Sequence, residues 1–133
     1  IGAEEEGYTN VKKTLERIKE KPIFFKIDIE GYEYQILDEI ILNSELLSGM
    51  VIEFHNIYDH IDEIRTFINN FELTLVHVHP NNNRIDDQGN PRAIEMSFAR
   101  NPEKLRESSV LPHPLDQLNV PRKEAVSLMF INS

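Results

Sequence analysis

The sequence predicts an α/β fold, and three observations carry that expectation. Two short, nearly continuous apolar runs, at 23–29 and 50–54, suit strands and are too short for helices. Helical apolar spacing recurs before, between and after them. A tract dense in Asn, Asp, Gly and Pro, at 80–92, then separates two further strand-like segments. The resulting order is helix, strand, helix, strand, helix, strand, strand, which belongs to the α/β class.

Residues 1–9 are acidic and polar and are expected to be loose. Thr9 or Asn10 can cap a helix running to about residue 21, with Val11, Leu15 and Ile18 on one face. Pro22 ends it. Residues 23–29, interrupted only by Lys26 and Asp28, read as a strand buried on both faces, as in a parallel sheet. Gly31 punctuates that strand. A helix over about 32–42 follows, with Tyr34, Leu37 and Ile41 at helical spacing and Ile36 and Ile40 beside them. After a short connection containing Leu46, Leu47 and Gly49, residues 50–54 form the second buried strand, and Glu53, Phe54 and His55 lie at its end. Asp59 can cap a helix over 60–70 whose Ile61, Ile64 and Ile68 share a face. A third strand covers 73–79, a polar loop 80–92 and a fourth strand 93–99. In the last, Ile94, Met96 and Phe98 face one way and Glu95 and Ser97 the other. Residues 1–100 make up the α/β domain. Residues 101–124, which hold four of the seven prolines, are expected to run over its surface as an extended arm, and 126–131 resembles one more short strand. The first two strands, linked by a helix, should be parallel with a right-handed crossover. The third and fourth, linked by a loop, should form an antiparallel pair at one edge.

Composition narrows the function. At 133 residues one domain is expected, and a substantial core can be buried. The absence of cysteine excludes disulfides, thiolate zinc sites and cysteine nucleophiles, and it suits a reducing cytoplasm, the expected location. A net charge of −9, from 14 basic and 23 acidic residues, argues against binding a nucleic-acid backbone. No apolar run approaches the ~20 residues of a membrane span, and no signal-peptide pattern opens the chain. The five glycines form neither a G-x-G-x-x-G nor a P-loop. The chain begins at Ile1 rather than a methionine, so it is expected to be processed, trimmed or a fragment.

Three constellations can carry chemistry. Asp28, Glu30 and Gly31 lie at the end of the first strand, where open parallel sheets bind ligands. Two carboxylates there can accept a hydroxyl proton, hold a ribose or amino group, or bind a divalent cation. The same two residues equally suit capping of the following helix. Glu53 and His55 end the neighbouring strand and would stand beside them, or be a solvated strand end. His77 and His79 alternate on one side of the third strand and could share a metal, or one could rest in the core rim with the other exposed. Asn81, Asn82 and Asn83 suit turns, or could orient a polar substrate. His60 and His113 receive no role, and no Ser-His-Asp pattern is recognisable.

The tract Phe25-Lys26-Ile27-Asp28-Ile29-Glu30-Gly31-Tyr32-Glu33, followed by Leu37, resembles the KIDVEGxE…L signature of FkbM-type methyltransferases. Val51-Ile52-Glu53-Phe54-His55, His77-Val78-His79-Pro80-Asn81-Asn82, Ile94-Glu95-Met96-Ser97-Phe98, and Leu111-Pro112 with Leu115-Asp116-Gln117 are similar to later segments of that family, in the same order. The resemblance spans about residues 22–120. It implies a Rossmann-like class I methyltransferase sheet, with strand order 3-2-1-4-5-7-6, of which this chain supplies the C-terminal half: strands equivalent to 4, 5, 7 and 6. It implies S-adenosylmethionine as the cofactor and O-methylation of a sugar or other polyhydroxyl, a small-molecule acceptor such as a glycan-derived one. Asp28, Glu30 and His55 would be catalytic. His77, His79, Asn82 and Glu53 would contact the acceptor, and no metal is assigned. The glycine-rich turn that holds the cofactor in that family is missing, so its main binding site is expected outside this chain. The competing readings are a non-catalytic methyltransferase-like binding module and a metal-dependent hydrolase built from Asp28, Glu30, His55 and His77. In half a sheet, the strand at 23–29 becomes an apolar edge, expected to be covered by a second copy of the chain, by the arm or by further residues.

Overall fold

Asn10 opens the first helix, its side chain accepting from the Lys13 backbone N–H at 2.9 Å. In the computed structural model, which describes residues 10–103, 110–111 and 128–129, that helix is α1, Val11–Arg17. It is four residues shorter than its apolar spacing predicts. Ile18 is already extended and 37% exposed, and the Lys21 ammonium binds the Leu15 carbonyl at 2.8 Å. Only Val11 and Leu15 reach the core, so nothing holds a further turn.

Strand β1, Ile23–Ile27, comes next, then a 3-10 turn at Glu33–Gln35 and helix α2, Leu37–Leu42. The single helix expected over 32–42 is thus two pieces joined at Ile36. The buried Ile36, Leu37 and Ile40 still face the core. After a 3-10 turn at Ser44–Leu46, β2 runs from Leu47 to Phe54, starting three residues earlier than the hydropathy suggests. Gly49 permits that start: a Cβ there would stand 2.9 Å from the Phe24 ring, which lies over it. A third 3-10 turn, Ile57–Asp59, leads into α3, Ile61–Asn70. Asp59 is therefore in the turn rather than the cap. The buried face of α3 is Ile64 and Phe67, while Ile61 is 45% exposed. Strands β3, Thr74–Pro80, and β4, Ile94–Ala99, flank the polar loop. Two short strands, β5 at Val110–Leu111 and β6 at Leu128–Met129, pair antiparallel in a separate ribbon. The rest of the proline-rich arm lies outside the described residues.

The four-stranded sheet has the order β1-β2-β4-β3. β1 and β2 are parallel, as their helical link requires, and both remaining pairings are antiparallel. The loop after β3 carries the chain back so that β4 inserts between β2 and β3. Among the described residues β1 is an edge strand.

One face of the sheet holds the core. Ile23, Phe25 and Ile27 of β1, Met50, Ile52 and Phe54 of β2, and Phe98 of β4 pack in one cluster with Val11, Leu15, Ile36, Ile40, Ile64 and Phe67 from the helices. Phe67 sits among Phe54, Phe71 and Phe98, with ring centroids 4.8–6.1 Å apart. Each such side chain contributes about 1.5–3 kcal/mol on burial. The expectation that β1 is buried on both faces does not hold. Its residues alternate buried and exposed, and Phe24 is 63% exposed. The reason is the layer arrangement: all three helices bury their apolar residues in this one core, leaving Phe24 and Lys26 on the opposite face.

Candidate functional site

The two parallel strands end side by side, and the chain turns sharply at each end. Glu30 has φ 51° and Gly31 φ 100° after β1, and Asn56 has φ 50° after β2. A non-glycine residue in the left-handed region is uncommon and costs on the order of 1 kcal/mol. Two of them border one crevice here, a pattern typical of functional sites. Gly31 has nothing within 4 Å of a hypothetical Cβ, so the backbone angle rather than space demands glycine.

The organising side chain is Glu33, which is fully buried. Its Oε2 accepts from the Gly31 backbone N–H at 2.9 Å. Its Oε1 accepts from the His55 backbone N–H at 2.6 Å and lies 3.0 Å from His55 Nδ1. A carboxylate can only accept, so His55 Nδ1 carries a hydrogen and donates it to Glu33. One carboxylate thereby ties the turn after β1 to the end of β2. Tyr34 adds a second tie by donating its hydroxyl to the His55 carbonyl. Burial pushes the Tyr34 phenol pKa up, and the negative charges of Glu33, Glu63 and Asp59 push it further, so the group stays a donor at neutral pH.

His55 is 4% exposed, and its Nε2 is buried without a hydrogen-bond partner among the described residues. Three carboxylates surround that atom. Glu30 Oε2 lies at 3.6 Å, Asp28 Oδ1 at 3.8 Å and Glu53 Oε2 at 3.9 Å. Two of the three are engaged elsewhere, Glu53 through its other oxygen and Glu30 through the same Oε2 that faces His55. The Asn81 amide donates to Glu53 Oε1 at 2.6 Å, and Arg84 Nη2 donates to Glu30 Oε2 at 2.7 Å. Asp28 is half-exposed at the mouth. The crevice, about 300 Å³, is lined by Glu30, His55, Asn56, Asn83, Arg84, Ile85 and Arg92.

The polar loop is held over this crevice by its backbone. Asn81 N–H donates to Ala93 C=O at 3.0 Å, and Ile57 N–H donates to Arg92 C=O at 3.2 Å. Farther out, Asp86 accepts from the Asn90 and Gln88 backbone N–H groups, which holds its carboxyl below the usual range.

The structure brings Asp28, Glu30, Glu53 and His55 together. Helix capping does not occupy the two strand-end acids, because neither the 3-10 turn after β1 nor α2 has a side-chain cap bond. His79 is at the end of β3 opposite Glu95, whose other neighbour across the sheet is Glu53. It is thus two strands, or about 10 Å, from Glu53. His77 lies one row back, opposite Ser97, and Asn82 is buried in the loop next to Asn81. The four-residue hydrolase set is therefore not assembled as expected: Arg84 engages Glu30, and His77 sits two strands from β2.

Sequence reasoning gave no site role to Glu33, Arg84 and Arg92, and offered Asn81 only as a turn former or a possible substrate contact. Glu33 stood in the quoted signature tract without a role. Asn81 stood beside the residue favoured, Asn82. For Arg84 and Arg92 the only signal was a pair of basic residues in an otherwise neutral and acidic loop.

A family model described as the methyltransferase FkbM domain matches residues 9–75, half of the chain. The match includes both strand ends and all of Asp28, Glu30, Glu33, Glu53 and His55. No curated protein and no solved structure matches the chain.

Proposed function

Because the chain belongs to the FkbM methyltransferase domain family, we propose that its crevice is the acceptor side of an O-methylation site for a sugar or other polyhydroxyl small molecule. The observation that carries this reading is the buried, unpartnered Nε2 of His55 facing three carboxylates. Such a cluster offers several carboxylate acceptors for a hydroxyl hydrogen. The strand order β1-β2-β4-β3 supports equating these strands with 4, 5, 7 and 6 of a class I methyltransferase sheet.

S-adenosylmethionine, the donor this family uses in general, supplies a methyl carbon bonded to a positively charged sulfonium. Asp28, Glu30 and Glu53 fit that charge, and of the three only Glu30 is ion-paired to an arginine among the described residues. Among the described residues no glycine-rich strand-to-helix turn is present to hold the nucleotide, so no cofactor-binding residue is assigned. The chain's own residues do the rest. The cluster orients the acceptor hydroxyl and takes its hydrogen on a carboxylate. Arg84 holds Glu30 in place, and Asn81 holds Glu53. An acceptor spanning about 10 Å, two strand spacings, would reach His79 and Asn82 at the end of β3, with His77 behind them.

The test is methyl transfer from S-adenosylmethionine to a panel of sugars by the protein carrying this domain. Asp28→Asn and His55→Gln should each lower kcat by about 100-fold, the scale of losing positioned acid–base groups, with unchanged circular dichroism. Unchanged turnover in both folded variants would remove the assignment. Absence of transfer by the wild type to any hydroxyl compound would favour a non-catalytic binding module.

A further inference from the structure

We infer that Asp28, Glu53 and His55 form a site for one divalent transition-metal ion, with Mn²⁺ as the best match to the donor set. One carboxylate oxygen from each acid and a ring nitrogen of His55 all lie within 4.8 Å of one another. His55 Nε2 is 3.8 Å from Asp28 Oδ1 and 3.9 Å from Glu53 Oε2. Ligand atoms about 2.1 Å from a common ion stand roughly 3.0 Å apart at right angles and 4.2 Å apart when opposed, so only a small closing movement is needed.

Acidic clusters are common without an ion, and the imidazole is what distinguishes this one. Its Nε2 is buried, has no hydrogen-bond partner among the described residues and faces Asp28 Oδ1 at 3.8 Å and Glu53 Oε2 at 3.9 Å. A cation held between them would be coordinated by a neutral Nε2 and by both carboxylates. The surrounding hydrogen bonds are those that metal sites build. The ligating histidine donates its other ring hydrogen to a carboxylate, Glu33, which fixes tautomer and orientation. The ligating Glu53 is held through its second oxygen by Asn81. Glu30, though 3.6 Å from Nε2, is committed to Arg84 and stays outside the set. One imidazole with two carboxylates suits Mn²⁺ better than Mg²⁺, which prefers oxygen alone, or a thiolate-seeking ion.

Three protein ligands leave further coordination positions for small ligands, and His55 borders the crevice. Resting on the methyl-transfer reading above, an open position would take the acceptor oxygen, and vicinal hydroxyls would take two. Lewis-acid contact lowers the hydroxyl pKa, and its proton passes to Glu30.

The test needs neither donor nor acceptor, so it can fail or succeed independently of methyl transfer. Chelator-treated full chain is titrated with Mn²⁺ and followed by electron paramagnetic resonance, with ¹⁵N-histidine labelling to detect the imidazole. One bound ion is expected, with a ¹⁵N coupling that His55→Gln abolishes. His55→Gln and Asp28→Asn should each weaken binding at least about tenfold, whereas Asp62→Asn, an exposed acid on α3, should not. No binding by the folded chain below millimolar Mn²⁺ would overturn the proposal. So would bound Mn²⁺ without a ¹⁵N coupling, or binding that both ligand variants leave intact.

Discussion

Replacing Glu33 tests the hydrogen-bond arrangement on which the whole site depends. Its carboxylate is fully buried and takes three N–H donors, from Gly31, from the His55 backbone and from His55 Nδ1. Hydrogen bonds to a charged group are worth about 1.5–3 kcal/mol each, and a buried donor left without a partner costs about 1–3 kcal/mol. The three share one side chain, so they do not add in full. Glu33→Ala, which strands all three donors and opens a cavity, should therefore cost about 4–6 kcal/mol. That is a large part of the 5–15 kcal/mol typical of a folded domain. Glu33→Gln keeps the volume and one acceptor oxygen but turns an amide N–H₂ toward a donor, and should cost about 2–3 kcal/mol. With a urea slope of about 1–3 kcal/mol per molar, the glutamine variant should unfold at a midpoint about 0.7–3 M lower. Circular dichroism during urea titration at pH 7 measures this, with Glu63→Gln, a partly exposed acid on α3, as the comparison. A midpoint lowered by less than about 0.3 M in both Glu33 variants would refute the claim that this carboxylate joins the two strand ends.

Two further expectations follow from local geometry. Gly31→Ala should destabilise by about 1–3 kcal/mol despite open space around it, because φ 100° is strained for any Cβ-bearing residue. Gly49→Ala should cost less than about 1 kcal/mol, since the closest atoms belong to the largely exposed Phe24 ring, which can move. Thermal unfolding of the pair checks the ranking, and the reverse order would sink it. Asp86 has its folded pKa lowered, first by the Asn90 backbone N–H, so its contribution is present above the unfolded carboxylate value and is lost as pH falls through the folded one. The Gln88 and Asn90 amide proton shifts should therefore hold steady from pH 7 to 4 and move only at more acid pH. A midpoint at or above the ordinary value of 3.8 would count against that loop geometry.

Much of the site was legible because strand ends are legible. The apolar runs around Ile27 and Ile52 place Asp28, Glu30, Glu53 and His55 just past two adjacent parallel strands, and parallel pairing follows from the helical spacing between them. The errors came where one-dimensional pattern meets three-dimensional layering. Nearly continuous hydropathy at 23–29 reads as burial on both faces, but helices on one face leave Phe24 exposed. Helical spacing extends to Ile18, yet no core partner exists beyond Leu15. Leu47 and Ser48 join β2 because Gly49 lets the Phe24 ring lie over it, a cross-strand contact with no local signature.

The sequence by itself determined the α/β class, the parallel pair, the family resemblance and the carboxylate–histidine grouping at the strand ends, because each rests on periodicity or on residues close in the chain. Periodicity left the strand order open and only the resemblance implied one; the tertiary structure inserts β4 between β2 and β3. It also decided the partners of each site residue: Glu33 behind His55 across 22 positions, Asn81 on Glu53 across 28 and Arg84 on Glu30 across 54. Those pairings arise from the return of the polar loop across the strand ends. Only the folded chain shows which carboxylates are already engaged and that His55 Nε2 is not.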